Sequence, residues 1–382
     1  MEEEKGTKIQ YGMKNKRREF IRNLGISGIA ALSSPTVFSR FKSMSSLRVL
    51  VLGGTNFLGP AIVKSLLRGG HQVTLFNRGI TNRHLFPNLK KIKGDREKGI
   101  SGYSNLGNPN EDWDVVIDVW PQNPQLVKDA VHILKKRTTH YVFISSIAVY
   151  ANYVKIGMDE SSPRRKGTNY EPGHYNLNKV LCEKVVEEEF PDNFTILRPG
   201  AIVGDRDSGP FGTYVLNRLM NRTEILAPNA NDPVQFIDAK DIGRFVNTCV
   251  AHSKKGYYNL VGPATKMGYK EMIVGAKETL KSPVKILWMD AEFLITEMKL
   301  EPFMQVPFWI PVASDPEPGF HQISNENAIK AGLTFTDYRE TVKTSYESFK
   351  EKRFILEEGS ELVFGISAKR ENEIIAKWKG RS

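Results

Sequence analysis

The sequence predicts an α/β protein with a doubly wound parallel sheet and a smaller C-terminal lobe. Three observations predict this class. Short apolar runs recur along residues 47–144, as the buried strands of parallel sheets do. Helical patterns alternate with these runs. A glycine-rich turn directly follows the first run, at the kind of position where an open α/β sheet binds its ligand.

The first strand, turn and helix have the pattern of a βαβ unit. Leu47–Leu52 is typical of a buried strand, Pro60–Arg68 of a helix that begins with proline and ends before two glycines, and Gln72–Phe76 of a second strand. The turn between the first strand and the helix consists of Gly53, Gly54, Thr55, Asn56, Phe57, Leu58 and Gly59. We expect it to bind the pyrophosphate of a dinucleotide at the helix N-terminus.

Glycine is needed in such a turn because a Cβ atom would hold the phosphates away from the backbone N–H groups. Gly53 and Gly59 occupy the first and third key positions of a Gly-x-x-Gly-x-x-Gly pattern, and Asn56 takes the middle one. Asparagine is among the few other residues that tolerate a positive φ. We therefore expect Asn56 to preserve the turn.

The residues after the second and third strands bear on the identity of the dinucleotide. Asn77 and Arg78 stand where a carboxylate would bond the ribose 2′-hydroxyl of NAD. Arg78 favours the 2′-phosphate of NADP slightly, but Asn77 can still bond a ribose hydroxyl, so NAD and NADP both stay open. After a third strand, Leu89–Lys93, Asp95 is a candidate acceptor for the adenine amino group, with a solvated turn aspartate as an equal alternative.

Two more strands bring candidate residues to the same edge of the sheet. Trp113–Val119 is the predicted fourth strand, so Val119 ends it, and Tyr141–Ile144 is the fifth. Ser146 follows the fifth strand after one further serine. Because ligands bind at the carboxyl ends of parallel strands, we expect Val119 and Ser146 at the site.

A predicted helix, residues 175–189, begins with Tyr175 and carries Lys179 four residues later, on the same face. A lysine ammonium beside a phenol favours the phenolate and lowers a pKa that starts at about 10. A nearby serine hydroxyl can hold a substrate oxygen while the proton moves. This pattern predicts oxidation of an alcohol or reduction of a carbonyl against a nicotinamide. The expected apolar row of the helix is Leu177, Leu181 and Val185.

Five segments occur in the order and spacing typical of the extended short-chain dehydrogenase/reductase family, the NAD-dependent epimerase/dehydratases. They are LRVLVLGGTNFLG, FISSIAVY, YNLNK, ILRPGAIVG and VQFIDAKDIGRFV. The resemblance covers nearly everything from Leu47 onward. LFNRG, a GDR turn and KRENEIIAKWK also resemble a bacterial subgroup often labelled isoflavone-reductase-like.

The resemblance implies a Rossmann fold and assigns roles by position. It makes Ser146 the catalytic serine, Tyr175 the acid/base, and Lys179 the residue that bonds the nicotinamide ribose and tunes the tyrosine. Further residues at cofactor-binding positions are Gly53, Gly59, Asp95 and Pro199, the last beginning a loop near the nicotinamide. Asn56 and Asn77 depart from the family pattern, which leaves the identity of the cofactor open.

The residues after the catalytic serine bear on the reaction. Dehydratases that resemble this chain carry Asp-Glu there, whereas this sequence has Ile147 and Ala148, which cannot transfer protons. Dehydration is therefore disfavoured. We expect an oxidoreductase or epimerase that acts on a sugar or glycoside with a retained cofactor. The alternatives are an NADPH-dependent carbonyl reductase of a small molecule, and a non-catalytic member that binds a dinucleotide or RNA.

The N-terminal region predicts export. Residues 17–22 (RREFIR) resemble the bacterial twin-arginine signal, and the apolar run Leu24–Leu32 is far shorter than the ~20 residues of a membrane-spanning helix. We expect the twin-arginine export machinery as a partner and the periplasm as the destination. Export of a folded protein would allow the cofactor to be loaded first. Whether the signal is cleaved or retained as an anchor stays open.

Charge and length define the remaining expectations. The 382 residues carry a net charge of +11, but residues 1–43 hold nine bases and four acids, which leaves 45 bases and 39 acids in the rest. This modest excess argues against a nucleic-acid partner, while a homodimer stays open. The predicted divisions are a signal and linker (1–45), a dinucleotide-binding domain (46–203 and 234–262) and a substrate-binding lobe (204–233 and 263–382).

Cys182 and Cys249 are too few for a disulfide framework, and we expect both to be buried thiols on helices. No histidine or cysteine spacing predicts a metal. The aromatic- and proline-rich segment 301–312 is expected either to wall a pocket or to pack within the lobe. Candidate polar contacts to the substrate are Glu301, Gln235 and His174.

Overall fold

A computed structural model describes residues 46–106, 111–119, 122–353 and 364–381. The predicted export signal lies outside these ranges. The central element is a seven-stranded sheet in which every neighbouring pair is parallel. Its strands are β1 (Arg48–Leu52), β2 (Gln72–Asn77), β3 (Lys90–Lys93), β4 (Trp113–Asp118), β5 (Thr138–Ile144), β6 (Phe194–Pro199) and β10 (Gly256–Leu260).

The strands lie in the order β10-β6-β5-β4-β1-β2-β3. The chain therefore moves outward from β1 in one direction through β3 and then crosses to β4 on the other side of β1. This reversal creates the crevice where doubly wound sheets bind their ligands.

Helices cover both faces of this sheet. The long helices around it are α1 (Leu58–Arg68), α2 (Pro124–Leu134), α3 (Tyr175–Glu189) and α5 (Ala239–Ala251). Alternate residues of β1 point to opposite faces: Val49 and Val51 share a core with α1 and α5, whereas Leu50 and Leu52 share one with α2 and α3. The sheet is thus apolar on both sides, as its continuous apolar strands predict.

The second lobe is made of shorter strands and helices. Its strands are β7 (Ile202–Val203), β8 (Glu224–Pro228), β9 (Pro233–Asp238), β11 (Gly262–Gly268) and β12 (Lys285–Met289). They form a three-stranded sheet, β11-β9-β7, and a parallel pair of β12 and β8. The helices of this part are α4 (Asn217–Asn221), α6 (Tyr269–Leu280), α7 (Glu326–Lys330), α8 (Tyr338–Lys350) and α9 (Ala368–Lys379). A separate apolar core includes the fully buried Trp309.

The predicted strands and helices of the sheet domain are present, with small shifts at their ends. Helix α1 begins at Leu58, two residues before Pro60, and β5 begins at Thr138, three residues before Tyr141. The predicted packing of α3 is wrong in part. Leu177 and Val185 are only half-buried, whereas Lys179 and Glu183 are 1% and 0% exposed. The helix turns its charged residues inward because they have partners at the site.

Cys182 on α3 and Cys249 on α5 are buried and form no disulfide, which confirms their predicted packing. Within the described ranges, no three His, Cys, Asp or Glu side chains are grouped as metal ligands. None of the helices in that part of the chain is long and apolar enough to cross a membrane.

Candidate active site

A cavity of about 680 Å³ opens at the carboxyl edge of the sheet, beside the crossover between β1 and β4. It brings together every predicted catalytic and cofactor-binding residue except Gly59. The predicted residues that line it are Gly53, Gly54, Thr55, Asn56, Phe57, Leu58, Asn77, Arg78, Asp95, Val119, Ser146, Tyr175, Lys179 and Pro199. The carboxyl ends of several strands therefore contribute to one site.

The glycine turn has a backbone conformation and a close approach that require glycine. Gly53 and Gly54 have φ values of 112° and 96°, a region that favours glycine. A Cβ atom on Gly59 would lie 2.6 Å from the carbonyl carbon of Gly54. Gly59 therefore serves the site indirectly, because it lets the start of α1 rest against the turn.

Asn56 preserves the turn, as expected, but it does so without a positive φ. The left-handed residue is its neighbour Phe57, with φ 32°. Asn56 instead accepts hydrogen bonds, at its side-chain Oδ1 from the Phe57 N–H (3.1 Å) and at its carbonyl oxygen from the Gly59 N–H (2.8 Å). These bonds close the turn locally, so the middle glycine of the pattern is not required.

Asn77 supports the same turn from β2. Its Nδ2 donates to the Gly53 carbonyl (3.0 Å), and its Oδ1 accepts from the Gly79 N–H (2.9 Å). Asn82 adds a third hydrogen bond, which its Nδ2 donates to the Thr55 carbonyl (2.8 Å). Arg78, the residue directly after β2, is exposed at the cavity wall. It is therefore the charged side chain that this strand end brings to the cavity.

The far end of the cavity is built around Asp95 and Arg96. Asp95 lines the cavity and accepts from the Glu97 N–H (3.2 Å). Arg96, which the sequence reasoning missed, also lines it and makes a bidentate ion pair with the fully buried Asp118 (2.5 and 3.0 Å). The Tyr141 hydroxyl donates to the same carboxylate (2.6 Å). In the sequence, Arg96 is the last residue of a GDR turn, which indicated only a family resemblance.

The three predicted catalytic residues meet at the centre of the cavity. Ser146 follows β5 and lies beside the Tyr175 hydroxyl, whose pKa it lowers, while its Oγ accepts from the Ala148 N–H (3.1 Å). Lys179 Nζ donates to the carbonyl of Ile144, the last residue of β5 (2.8 Å), and lies 5.9 Å from the centre of the Tyr175 ring. The hydroxyls of Ser146 and Tyr175 and the ammonium of Lys179 therefore lie close together in the cavity.

The electrostatics differ from the expectation in one respect. Burial lowers the pKa of Lys179 to about 8. Burial also raises the pKa of Tyr175, against a smaller lowering by the neighbouring Ser146 hydroxyl. Lys179 is not among the causes of this shift, so the lowering of the phenol pKa that we expected from the lysine does not appear in this structure. Tyr175 is a neutral phenol here at neutral pH, ready to donate a proton.

Beneath these residues lies a buried ionic cluster that sequence reasoning also missed. Glu183, one turn after Lys179, accepts from Ser145 Oγ (2.5 Å). It is paired with Arg198 (2.9 and 2.8 Å) and with Arg164 (2.8 Å). Glu187 on the next turn contacts Arg164 as well. The Glu183 carboxylate thus joins β5, α3 and β6 directly below the site.

The second lobe contributes little of the cavity wall. Among the residues that the structure describes, those of this lobe that line the cavity are Ile202, Ser208, Gly209 and Phe364. The segment 301–312 mostly packs inside the lobe: Val306, Phe308 and Trp309 are buried, and the Trp309 indole donates to Asp232 (2.9 Å). Of the two roles expected for this segment, core packing is the one the structure shows.

The three candidate polar contacts are not brought to the cavity wall. Gln235 is bonded to the backbone of Ile323 in both directions (2.8 and 2.9 Å). His174 is exposed and pairs with Glu171 (2.9 Å). Glu301 is exposed, and its N–H donates to Gln305. Their sequence positions carried no information on their distance from the reaction centre.

Comparisons with known proteins agree with this geometry. The model of the NAD dependent epimerase/dehydratase family matches residues 49–260, more than half of the chain. The chloroplast stem-loop binding protein of 41 kDa b from Arabidopsis thaliana is 25% identical over 215 residues, which are 52% of this chain and 53% of that protein. The chain thus spans about half the length of the curated relative it matches.

Solved structures show the same fold. The Bordetella bronchiseptica enzyme WbmH in complex with NAD+ is 20% identical with a TM-score of 0.56, covering 80% of this chain and 99% of that one. The UDP-Glc/GlcNAc 4-epimerase from Campylobacter jejuni is 14% identical with a TM-score of 0.61, covering 80% and 100%. The UDP-N-acetylglucosamine 4-epimerase from Bacillus cereus is 16% identical with a TM-score of 0.54, covering 81% and 100%. These likenesses confirm the predicted Rossmann-type architecture.

Proposed function

The chain belongs to the NAD-dependent epimerase/dehydratase family, and on that premise we propose that it is an NAD(P)-dependent oxidoreductase or epimerase. Its proposed substrate carries the reacting hydroxyl or carbonyl carbon in a sugar or glycoside. The observation that carries the proposal is the meeting of Ser146, Tyr175 and Lys179 in the same cavity as the glycine turn. We further propose that the protein belongs to the isoflavone-reductase-like subgroup of this family.

The residues of the cavity fit a dinucleotide. The turn that begins at Gly53 and Gly54, with the N-terminus of α1, forms a cradle for a pyrophosphate. Asp95 lines the end of the cavity next to β3 and would accept a hydrogen bond from the adenine amino group. Lys179 lines the reaction centre and would donate one to a hydroxyl of the nicotinamide ribose. When bound, the nicotinamide supplies a carbon that accepts and returns hydride.

The protein's own chemistry is the movement of one proton. The neutral Tyr175 phenol donates it to a carbonyl oxygen, or accepts it from a hydroxyl after ionising. Ser146, which lies beside the phenol, holds the substrate oxygen. With a pKa of about 8, Lys179 is mostly protonated at neutral pH. This charge stabilises the phenolate when the substrate hydroxyl is being oxidised.

Dehydration is disfavoured by the side chains next to the serine. Ile147 is 8% exposed and packs in a small apolar cluster with Val149 and Tyr150. It offers no proton donor or acceptor beside the substrate, and neither does Ala148. We therefore propose a cycle in which hydride leaves the substrate and returns to it, or a simple oxidation or reduction.

Export and cofactor retention belong together in this proposal. The twin-arginine pattern at residues 17–22 lies outside the described residues, so its support is the sequence alone. A periplasmic enzyme has no steady supply of reduced nicotinamide, which favours a cofactor that stays bound through a closed cycle. Sugar nucleotides are cytoplasmic, which favours free sugars or glycosides as substrates.

A second candidate is a binding protein rather than an enzyme. The observation that favours it is the relative from Arabidopsis, whose name describes stem-loop binding. Against it stands the complete Ser146, Tyr175 and Lys179 set, because a binding protein has no need of a phenol aimed at a ligand oxygen. A stem-loop RNA that bound the purified protein with submicromolar affinity at physiological salt would favour this second candidate.

The test is to purify the protein without added cofactor, denature it and identify the nucleotide released. We expect NAD or NADP in a near-stoichiometric amount. An empty protein that turns over only with added NADPH would replace the closed cycle by a dissociable-cofactor reductase. It would also remove the reason for proposing export of a loaded enzyme.

A further inference from the structure

Three neighbouring strand ends form the part of the cavity that fits a dinucleotide. The sheet order places β2 between β1 and β3. The glycine turn follows β1, and Asp95 follows β3. A dinucleotide with its pyrophosphate at the turn and its adenine at Asp95 therefore crosses the carboxyl end of β2. The chain that leaves this strand end is residues 78–82 (RGITN), here called the 78–82 loop.

The 78–82 loop runs along the cavity wall and is largely exposed to solvent. Residues 78–81 line the cavity, and Ile80 is 59% exposed. Apart from its two chain neighbours, no heavy atom of the described residues lies within 4 Å of the place where a Cβ atom on Gly79 would stand. Loose packing and an exposed backbone are typical of segments that open locally at a low cost in free energy.

The chain is fixed on both sides of this loop. Before it, Asn77 on β2 donates to the Gly53 carbonyl (3.0 Å). After it, Lys91 on β3 donates to the carbonyls of Arg83 and Leu85 (3.2 and 2.7 Å). The 78–82 loop is thus a short segment between two anchors, and it can move without disturbing the sheet.

A side-chain hydrogen bond holds the loop against the glycine turn. Asn82 Nδ2 donates to the carbonyl of Thr55 (2.8 Å), and Thr55 lines the cavity. Asn82 has φ 45°, a left-handed conformation that asparagine adopts more readily than most residues. Asn82 is not among the described residues that line the cavity, so it acts on a ligand only through Thr55 and the loop.

We propose that the 78–82 loop is a gate for the nucleotide and that the hydrogen bond from Asn82 to Thr55 holds this gate closed. The path of the dinucleotide across the end of β2 passes the loop, so release requires the loop to move away from the glycine turn. Breaking this hydrogen bond adds to the barrier for that movement. The inference rests on the proposed function, because it names the contact that keeps the cofactor bound through a closed cycle.

The test compares nucleotide release from the wild type and two variants. Asn82→Gly removes the amide and keeps a residue that accepts the left-handed conformation. His84→Gly is the matched control, because it adds backbone freedom at an exposed residue two positions later, outside the cavity wall.

Each protein, carrying the NAD or NADP with which it is purified, is mixed with a large excess of the same nucleotide in isotopically labelled form. Mass spectrometry of desalted samples taken over time gives the release rate. A protein that is purified empty is loaded with NADPH instead, and release is followed by the loss of NADPH fluorescence when excess NADP is added.

We expect release from Asn82→Gly to be about three- to tenfold faster than from the wild type, the range that corresponds to the loss of one hydrogen bond. His84→Gly should release its nucleotide at the wild-type rate. Unchanged release in Asn82→Gly, or an equal acceleration in the control, would overturn the inference.

Affinity separates a gate from a static support of the bound state. A gate opens for entry as well as for release, so both rates rise and Kd changes less than the release rate does. Wild type and Asn82→Gly, one of them with an affinity tag, are mixed with a limiting amount of nucleotide and separated at equilibrium. Similar occupancy supports the gate. A loss of occupancy that equals the gain in release rate would contradict it.

The two proposals fail in different ways. A wild type that neither holds nor binds NAD or NADP would refute the proposed function and this inference together. A nucleotide that is bound, but whose release does not depend on Asn82, would refute this inference alone.

Discussion

The two ends of the cavity are built in different ways. The cofactor end is assembled from consecutive strand ends and turns, and its central feature is a backbone turn that Gly53 and Gly54 shape with positive φ. The substrate end takes Ser208 and Gly209 from one loop and Phe364 from a distant C-terminal segment. Backbone groups at a parallel sheet edge can serve any dinucleotide enzyme. Side chains from the lobe are free to vary, so specificity belongs to the second end.

The reaction centre joins the two ends, and its loss has the largest expected effect. Tyr175→Phe removes the proton that moves during hydride transfer, so turnover should fall about 10²- to 10⁴-fold. Nucleotide content should be unchanged, because the glycine turn is intact. The measurement is turnover beside the nucleotide released on denaturation. If turnover and nucleotide content were lost together, Tyr175 would be needed for cofactor binding as well as for proton transfer.

The buried carboxylate below the site is expected to have the next largest effect. Glu183→Gln leaves Arg198 without its full counter-charge inside the protein, which should lower the free energy of unfolding by about 3–5 kcal/mol. Glu187→Gln is the matched control, since Glu187 shares Arg164 but is partly exposed. Its expected cost is about 1 kcal/mol or less. Equal losses in urea unfolding would contradict the role of burial.

The catalytic residues could be predicted from the sequence, whereas the buried carboxylate could not. Tyr175, Lys179 and Ser146 were found because four-residue helical spacing and a strand end are local patterns. Glu183 and Arg96 were missed because their importance depends on partners on other elements, Arg198 and Asp118, which no spacing reveals. Phe364 was missed for the same reason. The strands of the sheet could be predicted because each is a continuous apolar run.

The buried lysine makes a smaller, pH-dependent contribution. The folded-state pKa of Lys179 is about 8, below the 10.5 of an unperturbed lysine. Between these values the unfolded chain binds a proton that the native protein does not, so stability rises with pH there. Relative to Lys179→Met, the wild type should gain at most about 3 kcal/mol across that range. Urea unfolding of both proteins at several pH values measures the gain, and a pH-independent difference would argue against it.

The smallest expected effect concerns the choice of dinucleotide at the cofactor end. Arg78 is exposed, so solvent screens its attraction for a 2′-phosphate. If NADP is the released nucleotide, Arg78→Ala should weaken its affinity by roughly tenfold or less and leave NAD affinity unchanged. Arg83→Ala is a control, being exposed nearby but outside the cavity wall. Equal weakening of both nucleotides would show that Arg78 does not read the 2′-position.

The most direct test of the central claim is to add neutral glycosides to the nucleotide-loaded protein and record the ultraviolet absorbance of reduced nicotinamide. Our account predicts that a glycoside that binds produces this signal in the wild type, and that the Tyr175→Phe variant binds the same glycoside without producing it. A glycoside that binds the wild-type cavity and never reduces the nucleotide would contradict the account. The fold would then serve binding alone.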